Sequence, residues 1–228
     1  MNRSIDIYYL GHSGFVVDTG TTMMVFDYWE TTCKILRPII NQKDRKVVFF
    51  SSHIHHDHYD EVIEDYKDMV DVRAHITGWR SHVKSHTYIK PHTMEMIEGL
   101  QILPLVSNDA GCAFFVIADG VNVFHGGDLA GWEDETQRSF TREVDFLSLQ
   151  GYRLDLSFLA ITSFSGVIQK TMVEAAAYFI DSLKPSYFIP MHSNFKDYLY
   201  KEFKKEYFPG DKRIICPEFQ GEKIRLEL

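Results

Sequence analysis

The chain has 228 residues, 45% of them hydrophobic and 14% aromatic, with a formal net charge of −8. That length and apolar fraction suit one domain with a sizeable core, and the acidic balance argues against a protein that neutralises many phosphates of DNA or RNA. No apolar run approaches the roughly 20 residues of a membrane span.

From the N-terminus, Ile5, Ile7 and Tyr9 alternate with Ser4, Asp6 and Tyr8, as in a strand; this stretch lacks the apolar core of a secretion leader. Phe15-Val16-Val17 and Met23 to Phe26 flank Asp18-Thr19-Gly20, which reads as a hairpin turn. Val47 to Phe50 is short and continuously apolar, the pattern of a central strand. Residues 53–58 follow as His-Ile-His-His-Asp-His, an HxHxDH pattern formed by His53, His55, Asp57 and His58. Imidazole and carboxylate are the side chains that hold zinc and similar divalent ions near neutral pH. A strand that breaks here points His53 and His55 the same way. The chain then curls, so Asp57 and His58 face a second point and one short segment offers two half-sites. His56, between ligands, is expected to point away.

Val62, Ile63, Tyr66, Met69 and Val70 recur at helical spacing, and Val70, Val72, Ala74 and Ile76 alternate as a strand overlapping that helix. Residues 77–92 read as a polar loop, with His75, His82, His86 and His92 mostly at the surface. Strands are expected at Leu100 to Ile102 and at Ala113 to Ile117, and Asp119-Gly120 signals a two-residue hairpin into Val121 to Phe124. Phe140, Val144 and Leu147 mark a helix face, and Leu154, Leu156 and Phe158 a strand. The clearest helix covers 172–183, with Thr171 and Glu174 as a capping box and Lys184-Pro185 as its stop. Tyr187 to Ile189 is a strand running into Pro190-Met191-His192; Asp197 to Tyr207 is an amphipathic helix; Ile214 to Cys216 and Ile224, Leu226 and Leu228 close the chain as strands. Cys33, Cys112 and Cys216 form no CxxC pair and are expected to be reduced thiols of a cytoplasmic protein, Cys112 buried. Two strand-rich halves with helices between them suggest an α+β domain spanning 1–228, with sheet packed on sheet and helices outside.

Two further residues suit the chemistry of 53–58. Asp128 follows a strand and Gly126-Gly127, which leave its carboxylate little obstructed, and His192 ends a strand. With Gly11-His12-Ser13-Gly14-Phe15, Phe26-Asp27, HxHxDH, His125-Gly126-Gly127-Asp128 and Pro190-Met191-His192 in that order, the chain resembles the metallo-β-lactamase superfamily. Within it the likeness is to the Gly-His-Ser branch related to ascorbate-6-phosphate lactonase and N-acylphosphatidylethanolamine phospholipase D. The resemblance implies a four-layer αββα sandwich holding two divalent ions, zinc first, with manganese or iron as alternatives. It implies that His53 and His55 bind the first ion, that Asp57, His58 and His192 bind the second, and that Asp128 bridges them. His12 and Asp27 would orient ligands through hydrogen bonds, and His125 would do so or simply pack.

One family ligand is missing. The loop that usually gives the first metal another histidine reads Val106-Ser107-Asn108-Asp109-Ala110-Gly111. Asp109 is the best substitute there, and it equally suits an ordinary Asn-Asp turn.

Zinc lowers the pKa of water from about 15.7 to about 7, roughly nine units or about 12 kcal/mol. The expected function is therefore a metal-dependent hydrolase in which a metal-bound hydroxide attacks a small ester, lactone or phosphodiester, with Asp57 or Asp128 carrying the proton. A di-iron redox protein and a non-catalytic metal-binding or sensing module are the competing readings. Substrate choice would lie in loops 28–45, 77–92 and 129–140, with Tyr28, Trp29, Trp79 and Trp132 available as pocket walls and Thr162 to Gly166 as a possible border.

Overall fold

The computed structural model describes residues 3–29, 35–41, 45–66 and 71–228. Among these, the strands form two sheets. In the first, β1 (Ser4–Gly11), β2 (Gly14–Asp18) and β3 (Thr22–Phe26) are antiparallel neighbours. Next, β4 (Lys46–Ser51), β5 (Val72–Thr77) and β6 (His86–Tyr88) extend the sheet in parallel, and β13 (Lys223–Glu227) borders β1. In the second, β7 (Glu95–Ile97), β8 (Leu100–Val106), β9 (Cys112–Ala118) and β10 (Val121–His125) are antiparallel. There β11 (Leu156–Ala160) and β12 (Tyr187–Met191) follow in parallel.

Side-chain alternation sorts the first sheet into two buried faces. Met24, Phe26, Val48 and Phe50 face the second sheet, while Met23, Val25, Val47 and Phe49 join an outer cluster with Leu36, Ile40, Ile63 and Tyr66. Burial on both faces is why β4 reads as an unbroken apolar run. Ring contacts join the sheets, Phe15 to Phe158 at 4.3 Å and Phe50 to Phe114 at 5.3 Å. A fully buried Phe of this kind contributes about 2–3 kcal/mol.

Helices cover both outer faces. α1 (Leu36–Ile40) and a 3₁₀ helix (Glu61–Tyr66) lie on the first sheet. On the second, α2 (Gln137–Leu149) buries the expected Phe140-Val144-Leu147 face, and α3 (Lys170–Leu183) buries an Ala175-Ala176-Phe179-Ile180 stripe. Phe179 sits 4.9 Å from Phe124 of β10. α4 (Tyr198–Tyr207) packs Phe203 against Phe188 of β12. The result is the expected four-layer αββα sandwich, and none of the described helices is long and apolar enough to cross a membrane.

β4 ends at Ser51 and the chain breaks into a turn over 53–58 as expected. Several other local expectations are corrected. Of the helix expected over Val62 to Val70, the described part, Glu61–Tyr66, is 3₁₀; Met69 and Val70 lie outside the described residues, as does Cys33. Residues 77–92 include β6, and β7 pairs with β8 through Glu98 and Gly99 at positive φ. α3 begins at Lys170 behind an extended Gln169 with no side-chain cap, so Thr171 and Glu174 form no capping box. Ile214 makes a single bridge to Phe188 instead of a strand. His75 is buried in β5, and His86 keeps only 1% of its side chain exposed. A histidine-rich polar stretch misleads because paired imidazoles bury well.

Because β1, β3, β4, β10, β11 and β12 end at the same rim, their C-terminal ends deliver Gly11, Phe26, Ser51, His125, Ala160 and Met191 to one place. The residues that follow those ends build the site.

Candidate metal centre

Three of these residues leave their strands with left-handed backbone: His12 at φ 55°, Asp27 at 44° and His192 at 70°. Such conformations cost non-glycine residues roughly 1–3 kcal/mol and persist only where surroundings dictate them. For His12 the surroundings are visible. Its amide donates to the Tyr9 hydroxyl at 2.9 Å, while its carbonyl accepts from the Tyr200 hydroxyl at 3.2 Å and from the His192 amide at 3.0 Å. Tyr9 in turn donates to Asp197 at 2.7 Å.

The 53–58 turn is held from behind. Asp27 accepts from the Ser52 amide, the Ser52 hydroxyl and His58 Nδ1, each at 2.7 Å. Ser52 Oγ also accepts from His53 Nδ1 at 2.9 Å. Burial pushes the Asp27 carboxyl up, but His58 and His125 outweigh it and hold the group below its usual range. Backbone packing is tight at the same point. A Cβ on Gly111 would stand 1.9 Å from the Ser52 carbonyl oxygen, and one on Gly78 1.8 Å from it. Gly111→Ala, which also meets a φ of 63°, is expected to destabilise the fold by about 3 kcal/mol in denaturant unfolding. A change below about 0.5 kcal/mol, the scale of ordinary surface substitutions, would refute this packing account.

Around Asp128 the ligand-type atoms converge. Asp128 Oδ1 lies 3.2 Å from His58 Nε2 and 3.6 Å from His192 Nε2; Oδ2 lies 3.4 Å from His53 Nε2. Asp57 Oδ2 stands 3.7 Å from His58 Nε2 and 3.3 Å from His12 Nε2. On the first side, His55 Nδ1 and Asp109 Oδ2 are 3.9 Å apart. Two groups result: His12, Asp57, His58 and His192; and His53, His55, Asp109 and Asp128. Ligands about 2.0–2.2 Å from a tetrahedral zinc are about 3.3–3.6 Å from one another, so the spacing around Asp128 fits an ion without rearrangement.

Hydrogen bonding on the far side of each ring assigns its proton. His53 donates from Nδ1 to Ser52, His58 from Nδ1 to Asp27, and His192 from Nδ1 to the Thr162 carbonyl at 3.3 Å. His53 and His192 therefore turn an Nε2 lone pair inward, as metal-binding histidines do; His58, raised by a carboxylate on either side, would give up its Nε2 proton to an ion. His12 and His125 are the reverse. His12 Nδ1 accepts the Asn194 amide at 3.1 Å, and His125 Nδ1 accepts the Gly127 amide at 3.2 Å while Nε2 donates to the Ser13 carbonyl at 2.9 Å. Both carry their proton on Nε2. His12 thus reaches the ligand cluster as a hydrogen-bond donor, and His125, stacked on Phe26 at 4.9 Å, supports from beneath.

Among the described residues, His53 Nε2, His58 Nε2, His192 Nε2 and both Asp128 oxygens are buried without a hydrogen-bond partner. Orphaned polar atoms in one spot are costly unless something binds them. The charge pattern agrees. Burial pushes Asp128 and Asp57 up, yet the histidines beside them hold both carboxyls well below the usual range. Burial would lower His58, but Asp128 and Asp27 on either side raise it. Burial takes His53 down to about 4 and His192 to about 3, leaving their lone pairs free. Asp109 is raised by burial and by Asp128. The donor set, the spacing and the orphaned atoms fit divalent ions.

All the expected ligands meet here. His55 and Asp109 are the loosest, with side chains 51% and 33% exposed. Asp109 is aimed inward because Asn108 clamps the neighbouring loop, donating to the Ala130 carbonyl at 2.6 Å and accepting its amide at 3.1 Å. His56 points away, edge-on to Trp29 at 5.4 Å. Thr162 borders the site by hydrogen bonding to the His192 carbonyl. The sequence reading missed Ser52, Asn194 and the Tyr9–Tyr200–Asp197 support; a Ser-Ser pair before the first histidine was the one available hint. Cys112 is buried as expected, and burial pushes its thiol up.

The sequence profile described as Beta-lactamase superfamily domain matches residues 6–192. Comparison with curated proteins gives no match. Among solved structures, the chain is similar to Igni18, a metallo hydrolase from the archaeon Ignicoccus hospitalis (TM-score 0.71, 19% identity, 99% of each chain covered). It is similar to the metallo-beta-lactamase fold protein YhfI from Bacillus subtilis (TM-score 0.62, 12% identity, covering 96% of this chain and 99% of that one). It is also similar to CmlA, a diiron β-hydroxylase from Streptomyces venezuelae (TM-score 0.60, 9% identity, covering 100% of this chain and 55% of that one).

Proposed function

Given that the chain belongs to the β-lactamase superfamily, we propose that it is a metal-dependent hydrolase of small esters, lactones or phosphodiesters. The observation that carries this reading is the set of buried, unpartnered atoms of His53, His58, Asp128 and His192 facing a common centre. His53, His55, Asp109 and Asp128 would hold one divalent ion, and Asp57, His58, His192 and Asp128 a second. Ions held there would supply acidified water and a Lewis acid toward a carbonyl or phosphoryl oxygen.

The chain's own residues do the rest. Asp57, kept ionised at the mouth of the site, accepts a proton from the attacking side. His12 holds a proton on Nε2, 3.3 Å from Asp57 Oδ2, and is placed to hydrogen-bond a departing or negatively charged oxygen. Asp27, through His58 and Ser52, fixes the ring orientations. The rim is apolar: Ile54, Phe164 and Phe195 are about half exposed or more, with Phe164 stacked on Trp132 at 4.8 Å and Phe195 5.4 Å from Trp29. Those surfaces favour substrates with an apolar acyl or aryl part.

Asp109 gives one half-site an extra oxygen donor, which suits manganese or iron as well as zinc. Metal analysis followed by a panel of chromogenic esters, lactones and bis-nitrophenyl phosphate tests the reading. Turnover lost to a chelator and restored by zinc or manganese supports it. Bound iron with visible absorbance and oxygen consumption would replace it with a redox function, and bound metal with no turnover would leave a sensing module. Asp109→Ala is expected to lower the metal-to-protein ratio; an unchanged ratio in elemental analysis removes Asp109 from the ligand set.

A further inference from the structure

On the opposite face of the first sheet, away from Asp128, we propose that Glu64, His75 and His86 form a separate binding site for a divalent cation such as zinc. β5 and β6 run parallel with His75 directly paired to His86, so two imidazoles share one face with ring centroids 4.2 Å apart. The 3₁₀ helix lays Glu64 over them. Glu64 Oε1 lies 2.8 Å from His86 Nε2 and 3.5 Å from His75 Nδ1, and one donor atom from each of the three falls within 4.8 Å of the others.

A serine stands behind every member of the group. Ser51 Oγ is 3.0 Å from His75 Nε2, Ser81 Oγ is 2.8 Å from His86 Nδ1, and the Ser85 hydroxyl donates to Glu64 Oε2 at 3.2 Å. Ser81 Oγ already accepts the Val83 amide at 3.1 Å and can accept again from His86. His86 Nε2 and Glu64 Oε1 share a proton in a 2.8 Å hydrogen bond; a cation taking that proton's place, with each imidazole donating to its serine, would meet His86 Nε2 and His75 Nδ1 once Glu64 draws back by about 0.5 Å. An outer oxygen that accepts the second ring N–H and so sets the tautomer is the arrangement seen around bound zinc. Two histidines and a glutamate form a sufficient zinc ligand set, leaving a position for water. The histidines are buried and the glutamate is 27% exposed, which gives an ion an approach from one side. Tyr59 and Trp79 close the other, with Tyr59 5.9 Å from each histidine ring.

A cation here ties the segment that leaves the 53–58 turn, through Tyr59 and Glu64, to the end of β5 and to the short edge strand β6. Its role is structural, and it is independent of turnover at Asp128.

The test counts ions in the whole protein. Metal-free wild type and Glu64→Gln are titrated with zinc and read by native mass spectrometry and calorimetry. Gln keeps the shape and the Ser85 contact. Wild type is expected to take up one more equivalent than Glu64→Gln, with turnover the same in both. Zinc-soaked crystals of wild type are expected to show an anomalous peak between Glu64 and the two histidines. An unchanged zinc count in Glu64→Gln, or no peak there, overturns the proposal and leaves a plain hydrogen-bonded Glu–His–His cluster.

Discussion

An Asp128→Asn protein is expected to keep its fold and to lose metal and turnover together, with kcat/KM on a chromogenic ester down by at least about 10³-fold. Asparagine matches the shape of the carboxylate but supplies no charge and only one acceptor oxygen, whereas Asp128 serves His53 with one oxygen and His58 and His192 with the other. Acidifying water is worth about 12 kcal/mol, and at 1.36 kcal/mol per tenfold even partial loss of that term exceeds 10³. The variant should remain folded by circular dichroism because Asp128 is fixed to its surroundings by backbone, its carbonyl accepting from Trp132 Nε1 at 2.8 Å. Wild-type metal content in the variant would sink the bridging role.

Removing metal from the wild-type protein should lower its melting temperature by about 10 °C, and adding zinc back should restore it. An ion present at 1,000 times its dissociation constant stabilises by about 4.1 kcal/mol, and a chain of this size shifts by about 2–4 °C per kcal/mol. The physical source is the set of buried nitrogen and oxygen atoms around Asp128 that have no partner among the described residues. If the chelated protein melts at the same temperature, those atoms are not met by an ion.

Much of this site was legible in the linear chain because metal chemistry restricts residue type. HxHxDH, Asp128 and His192 each follow an apolar strand, and strand ends are where parallel sheets deliver side chains. The support was less legible. Asp27 sits one residue past β3 and looks like any turn aspartate until Ser52 and His58 fold onto it. Which nitrogen of His12 carries the proton depends on Asn194, 182 residues away. Thr171 and Glu174 have the spacing of a capping box, yet the helix starts at Lys170, so the pattern occupies the wrong register. His75 and His86 read as surface because composition cannot show that two strands will set them side by side. The sandwich itself was readable from alternation, whereas the small edge strands β6 and β7 offered three residues each and too little pattern.

At His12, Asp27 and His192 a glycine would relax the left-handed main chain by about 1–3 kcal/mol, yet it would also remove side chains gathered at the candidate metal centre and with them the roughly 4 kcal/mol that an ion there would contribute. Where metal is plentiful, selection for heat resistance alone would therefore keep these side chains; where it is scarce, glycine would win.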